Sequence, residues 1–135
     1  MRELDSYAEL VELTRREPAA LFYFSTPDCG VCKSLKPKVI KLLEEHFPKM
    51  RSYYIDTAAV PEARGQFSVY SVPVVLVFFS GREYIRVARN FGIAELGEKI
   101  DRYYSMVFPN EGEAFRDEHG RDGRESGGSR SGDAE

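Results

Sequence analysis

Cys29 and Cys32 are the only cysteines in this 135-residue chain, and two residues separate them in Thr26-Pro27-Asp28-Cys29-Gly30-Val31-Cys32-Lys33. A dithiol with this spacing is suited to thiol–disulfide exchange. One thiolate attacks a disulfide, a mixed disulfide forms, and the second thiol resolves it. Two intervening residues at a helix start bring the sulfurs within bonding reach with little backbone movement. The apolar run Ala19-Ala20-Leu21-Phe22-Tyr23-Phe24 precedes the pair and a helix-patterned segment follows it. That places Cys29 where the first helical N–H groups are free, so those donors and the helix dipole favour its thiolate. Lys33 adds a positive charge, while the carboxylate of Asp28 acts in the opposite sense. Cys29 is the expected nucleophile and Cys32, set deeper in the helix, the expected resolving thiol.

Two other uses of a Cys-x-x-Cys unit fit less well. A zinc site needs two further ligands, and only His46 and His119 remain, far apart in sequence and the second in a polar segment. A structural staple has little purpose in a chain long enough to build a core, with nothing that marks it as secreted. No metal and no cofactor beyond the redox-active cysteine pair is expected. The net charge of −3 gives no case for nucleic-acid binding. Met1-Arg2-Glu3-Leu4-Asp5 opens no apolar leader. The longest apolar run, Val72 to Phe79, is the length of a buried strand rather than a membrane span. Reduced thiols in a reducing cytoplasm are the simplest setting.

The flanking elements follow from periodicity. Ser6 and Glu9 have capping-box spacing before Tyr7, Leu10, Leu13 and Thr14, and Pro18 closes that helix. Residues 20–25 lack polar alternation and read as a strand buried on both faces. A helix is expected from about Cys29 to His46, with Leu35, Val39, Leu42 and Leu43 as its stripe, Pro37 inside it, and Asp28 as a possible cap. Residues 51–56 read as a strand reached by a right-handed crossover. A short helix is expected over 58–67, a strand over 73–79, a tight turn at Ser80-Gly81 and an edge strand over 82–88. A last helix starts after Gly92, its buried face formed by Ile93, Leu96, Ile100, Tyr103, Tyr104 and Val107.

Taken in order, Cys29-Gly30-Val31-Cys32-Lys33, Pro37, Ile55-Asp56, Ser71-Val72-Pro73, Ser80-Gly81 and Phe91-Gly92 resemble the thioredoxin family over residues 1–108. The resemblance implies an α/β fold, a central mixed sheet flanked by helices. The chain begins with a helix, so the family's first strand is expected to be missing. That leaves four strands in the spatial order 51–56, 20–25, 73–79, 82–88. The resemblance also implies a cis Val72–Pro73 peptide facing the dithiol, with the Val72 backbone pairing to an extended client segment. Gly30, Val31, Phe91 and Gly92 would line that client groove. Protein disulfide or dithiol clients and an upstream thiol reductant are the implied partners of a monomer; no nucleic acid and no membrane is expected.

The chain departs from the family pattern at four positions. Asp28 stands where an aromatic usually precedes the first cysteine, and Val31 replaces the usual proline. Tyr23 occupies the place of a buried acid, and Ser52 that of its lysine partner. Asp28, Lys33 and Tyr23 are therefore the residues expected to modulate the dithiol. The departures also leave room for a second reading, a thioredoxin-like adaptor module that holds a partner peptide with little redox turnover. Tyr70 and Phe91 are expected near the groove, as contact or core residues. Beyond Pro109 the composition changes. Residues 111–135 carry eight acidic side chains against four arginines, a net of −4, with six glycines. Residues 109–135 are expected to form a disordered tail.

Overall fold

The computed structural model describes residues 1–109. Five strands and four helices follow in the order β1 (Arg2–Leu4), α1 (Tyr7–Arg16), β2 (Ala19–Ser25), α2 (Gly30–His46), β3 (Arg51–Asp56), α3 (Glu62–Gln66), β4 (Val74–Phe79), β5 (Arg82–Ala88) and α4 (Ile93–Val107). The strands form one mixed sheet in the order β1-β3-β2-β4-β5. β1 and β3, and β3 and β2, run parallel; β4 is antiparallel to both β2 and β5.

Every residue of β2 is buried, as expected for a central strand without polar alternation. Its side chains alternate between two cores. Ala19, Leu21 and Tyr23 face Val39, Leu42 and Leu43 of α2 and Leu96, Ile100 and Tyr104 of α4. Ala20, Phe22 and Phe24 face Leu10 and Leu13 of α1 and Ala63 of α3. Each fully buried Leu or Phe on these faces contributes about 2–3 kcal/mol of transfer free energy. The sheet is thus held rigid beneath the loops at its edge.

The expectation of a missing first strand is corrected. Residues 2–4 form a short β1, paired through Arg2↔Tyr53, Glu3↔Tyr54 and Leu4↔Ile55. Of its three residues only Leu4 is buried, so no apolar pattern marks it. The four expected strands keep their expected order, with β1 added outside β3. The short helix expected over 58–67 is confined to Glu62–Gln66. Asp56 Oδ1 accepts from Ala58 N–H at 2.8 Å, and a turn carries the chain to Val60. Ser6 caps α1 through Glu9 N–H, but the Glu9 carboxylate pairs with Arg2 rather than closing a capping box. Ser80 (φ 53°) and Gly81 (φ 85°) both take positive φ, the geometry of a two-residue hairpin turn. The tail expected over 109–135 lies, beyond Pro109, outside the described residues.

Candidate active site

The backbone register gathers the sequence-selected residues at one end of the sheet. Cys29 and Cys32 follow the C-terminal end of β2. Phe24 of β2 pairs with Val74, the first residue of β4, so Val72 and Pro73 lie beside that same end. Val74 pairs with Ala88, the last residue of β5, which brings Phe91 and Gly92 there as well. Cys29, Val72 and Phe91 pack, partly buried, against the core cluster that contains Cys32 and Tyr23.

Cys29 and Cys32 are joined in a disulfide, with their Cα atoms 5.3 Å apart. Cys29 is the N-cap of α2, with extended backbone, and its Sγ accepts from Cys32 N–H at 3.1 Å. The Cys29 carbonyl accepts from Lys33 N–H at 3.2 Å, the first turn of the helix. Cys29 is half-buried, whereas Cys32 is 1% exposed. The helix start therefore leaves one cysteine partly exposed and buries the other. Asp28 does not cap α2. It lies in the exposed turn and accepts from the Thr26 hydroxyl at 2.8 Å. Pro37 sits inside α2, as the sequence requires.

The Val72–Pro73 peptide is cis. The Pro73 carbonyl accepts from Arg89 N–H at 2.8 Å, and Arg89 takes φ 58° to deliver it. Val72 makes no backbone hydrogen bond among the described residues. Gly30 begins α2 and Gly92 caps α4; a Cβ at either would meet nothing within 4 Å. Val31, between the cysteines, is 57% exposed, and Tyr70 is 69% exposed. Tyr70 is therefore a surface residue and no part of the core.

Tyr23 lies beneath the pair, fully buried on β2. Its hydroxyl donates to the Cys32 carbonyl at 2.7 Å. Burial, reinforced by neighbouring Tyr54, pushes its phenol up to about 12. The Tyr23 and Tyr54 rings stack at 6.1 Å, and the Lys36 ammonium lies 4.4 Å from the Tyr54 ring centroid. Sequence reasoning missed Tyr54, Lys36 and Arg89 as neighbours of this site. The register of β2 with β3 and the i, i+4 step from Cys32 to Lys36 were readable signals for the first two. Arg89 carried none, since Asn90 next to it is the residue type that favours a positive φ.

Among the described residues, no group of three or more His, Cys, Asp and Glu side chains is arranged to hold a metal ion. No helix among them is long and apolar enough to cross a membrane. An open cleft lined by Arg2, Glu17, Lys49, Arg51 and Tyr53 lies at the opposite end of β3 and takes no part in this constellation.

A mixed sheet between helical layers, with a Cys-x-x-Cys pair at the helix start after the central strand and a cis-proline loop beside it, defines a thioredoxin-like protein. The Thioredoxin family profile matches residues 4–102, and the chain belongs to that family. It is 32% identical over 106 residues to Thioredoxin-like protein YdfQ of Bacillus subtilis, covering 78% of this chain and 94% of that one. It is 30% identical over 87 residues to the chloroplastic Thioredoxin M-type of Pisum sativum, covering 64% of this chain but 51% of that one. The chain thus spans about half the length of that chloroplastic relative. Among solved structures, Fasciola hepatica thioredoxin superposes with TM-score 0.68 at 28% identity, covering 76% of this chain and 98% of that one. The oxidised thioredoxin of Plasmodium falciparum gives 0.68 at 19% identity, covering 77% and 98%. Family membership and the close cysteine pair support thiol–disulfide exchange as the class of chemistry.

Proposed function

We propose that this protein is a thiol–disulfide oxidoreductase that reduces disulfides of protein clients, with Cys29 as nucleophile and Cys32 as resolving thiol. The observation that carries the reading is the asymmetry of the pair: a half-buried Cys29 at the cap of α2 and a buried Cys32 one turn in. In the reduced protein the Cys29 thiolate attacks one sulfur of a client disulfide. A Cys29–client disulfide forms, and the other client sulfur leaves with the electron pair. Cys32 loses its proton, and its thiolate attacks Cys29 Sγ. The bond from Cys29 to the client breaks, and the second client sulfur leaves as a thiolate and takes up a proton. The client gains two electrons and two protons; the protein ends with the Cys29–Cys32 disulfide, and an upstream thiol reductant restores the dithiol.

The free backbone of Val72 supports an extended client segment laid beside Pro73, with Gly30, Val31, Phe91 and Gly92 as the walls. Asp28 and Lys33 bias the Cys29 thiolate in opposite directions. The proposed setting is the cytoplasm, with the chain acting as a monomer. Insulin-disulfide reduction driven by dithiothreitol tests the assignment. Cys29→Ser should abolish the protein's acceleration, and full activity in that variant would refute it. A second reading, a peptide-holding adaptor without turnover, draws on the exposed Tyr70 beside the loop. It requires a Cys29 thiol with ordinary reactivity and no insulin turnover in the unaltered chain.

A further inference from the structure

Arg86 stands on β5 opposite Leu76 of β4. That places it on the sheet face against which Leu76, Phe78 and the partly buried Phe67 pack. Side chains three apart on a regular strand point to opposite faces. Here the register shifts: Phe78 pairs with Glu83 but Val77 with Ile85, so Tyr84 is the extra residue of a bulge. Glu83 is thereby turned onto the face of Arg86. Its carboxylate accepts from Arg86 Nε at 2.8 Å and from Nη2 at 2.9 Å, a two-point fork. The guanidinium held in that fork also donates from Nη2 to the Phe67 carbonyl at 2.8 Å and from Nη1 to the Ser68 carbonyl at 3.1 Å. Phe67 is the C-cap of α3, and Ser68 takes φ 55°. The Arg86 and Glu83 side chains are 37% and 32% exposed, and an ion pair this open to water adds little to global stability.

The two carbonyls mark the start of the segment that runs to Pro73. At its other end the Pro73 carbonyl accepts from Arg89 N–H. β5 thus grips this loop at both ends, and the span between carries the exposed Tyr70 and the backbone of Val72. We propose that Arg86, oriented by Glu83, is a positioning residue for client binding: it fixes where loop 69–73 presents Tyr70 and Val72 to an extended protein client. This rests on the client groove of the function proposed above. The brace bonds to neither cysteine, so its effect falls on binding of a client that spans the loop. A small disulfide that needs no groove is indifferent to it.

Arg86→Lys keeps the positive charge and loses the planar fork. In dithiothreitol-driven insulin reduction it should raise KM about fivefold, the worth of one hydrogen bond, and leave kcat unchanged. Its reduced form should react with 5,5′-dithiobis(2-nitrobenzoate) at the parent rate. A parent-like insulin KM in Arg86→Lys would overturn the proposal, because charge alone would then suffice. Equal losses with both substrates would overturn it too, by placing the fault in the dithiol. Glu83→Gln keeps one acceptor oxygen and should raise KM about twofold; an unchanged KM would strike Glu83 from the device. Two changes that act through one loop are not additive, so in a Tyr70→Ala background Arg86→Lys should raise KM by no more than about twofold. The full fivefold effect in that background would show that Arg86 does not act through the loop. Failure of the exchange reading looks different: insulin turnover of the unaltered chain would match that of Cys29→Ser, and the role of the brace would fall with it.

Discussion

The backbone N–H of Arg89 donates to the Pro73 carbonyl over 2.8 Å, and Arg89 adopts φ 58° to make that bond. The end of β5 thereby ties down the loop that stands beside the dithiol. A non-glycine residue in this region costs about 1–2 kcal/mol. Arg89→Gly relieves that cost and gives part of it back as unfolded-state entropy, so its stability should stay within about 1 kcal/mol of the parent. Arg89→Pro removes the N–H and demands φ near −65°. It should lose about 3 kcal/mol in urea unfolding and lower insulin turnover. A proline variant as stable and active as the parent would show that the tie carries nothing.

Asp28 and Lys33 flank Cys29 at exposed positions on either side of the helix cap. Removing the like charge in Asp28→Asn should raise the iodoacetamide rate of reduced Cys29 at neutral pH about twofold to threefold. Lys33→Ala should lower it by a similar factor. Both effects pass through water and should shrink in about 1 M salt, where screening is nearly complete at these distances. Changes of the same sign in both variants would contradict an electrostatic origin.

The sequence made the central elements legible because their signals are local and strong. The apolar run before the cysteines, with no polar alternation over 20–25, reads as a strand buried on both faces, and β2 is one. The Ser80-Gly81 pair between an apolar run and an alternating edge segment specified a hairpin, and both residues take positive φ. Four strands came out in their observed order, and the cysteine pair, Val72–Pro73 and Phe91-Gly92 meet at one sheet end. What escaped depends on tertiary pairing. Arg2-Glu3-Leu4 has no strand pattern; it becomes β1 because the edge of β3 offers unpaired N–H and C=O groups. Cys29 displaces Asp28 as the cap because its sulfur, rather than the carboxylate, reaches the Cys32 N–H. Tyr23 was legible as an oddity of position, but not the carbonyl it bonds.

Tyr70 buries little on folding at 69% exposure, and Val31 is 57% exposed between the cysteines. Substituting either should leave stability within about 0.5 kcal/mol, the usual range for surface sites. If a protein client lies across this surface, Tyr70→Ala and Val31→Ser should raise KM for insulin severalfold. The rate with 5,5′-dithiobis(2-nitrobenzoate), too small to span the groove, should not move. Equal losses with both substrates would point to a disturbed dithiol instead of a lost contact.

The raised Tyr23 phenol predicts a stability loss at alkaline pH. An unfolded tyrosine ionises near 10, whereas burial, then the neighbouring Tyr54, holds Tyr23 neutral up to about 12 in the folded chain. Between those values the folded state binds a proton that the unfolded state has released. Stability attributable to this group is therefore fully present below pH ~10 and declines by about 1.4 kcal/mol per pH unit as pH rises toward 12. Tyr23→Phe has no such proton. It should begin less stable by about 1 kcal/mol at neutral pH, the worth of the lost hydrogen bond to Cys32, and then decline more shallowly. The two urea-midpoint curves should converge on the alkaline side. Parallel curves through that range would mean that the Tyr23 hydroxyl is already open to water, and with it the floor beneath the cysteine pair.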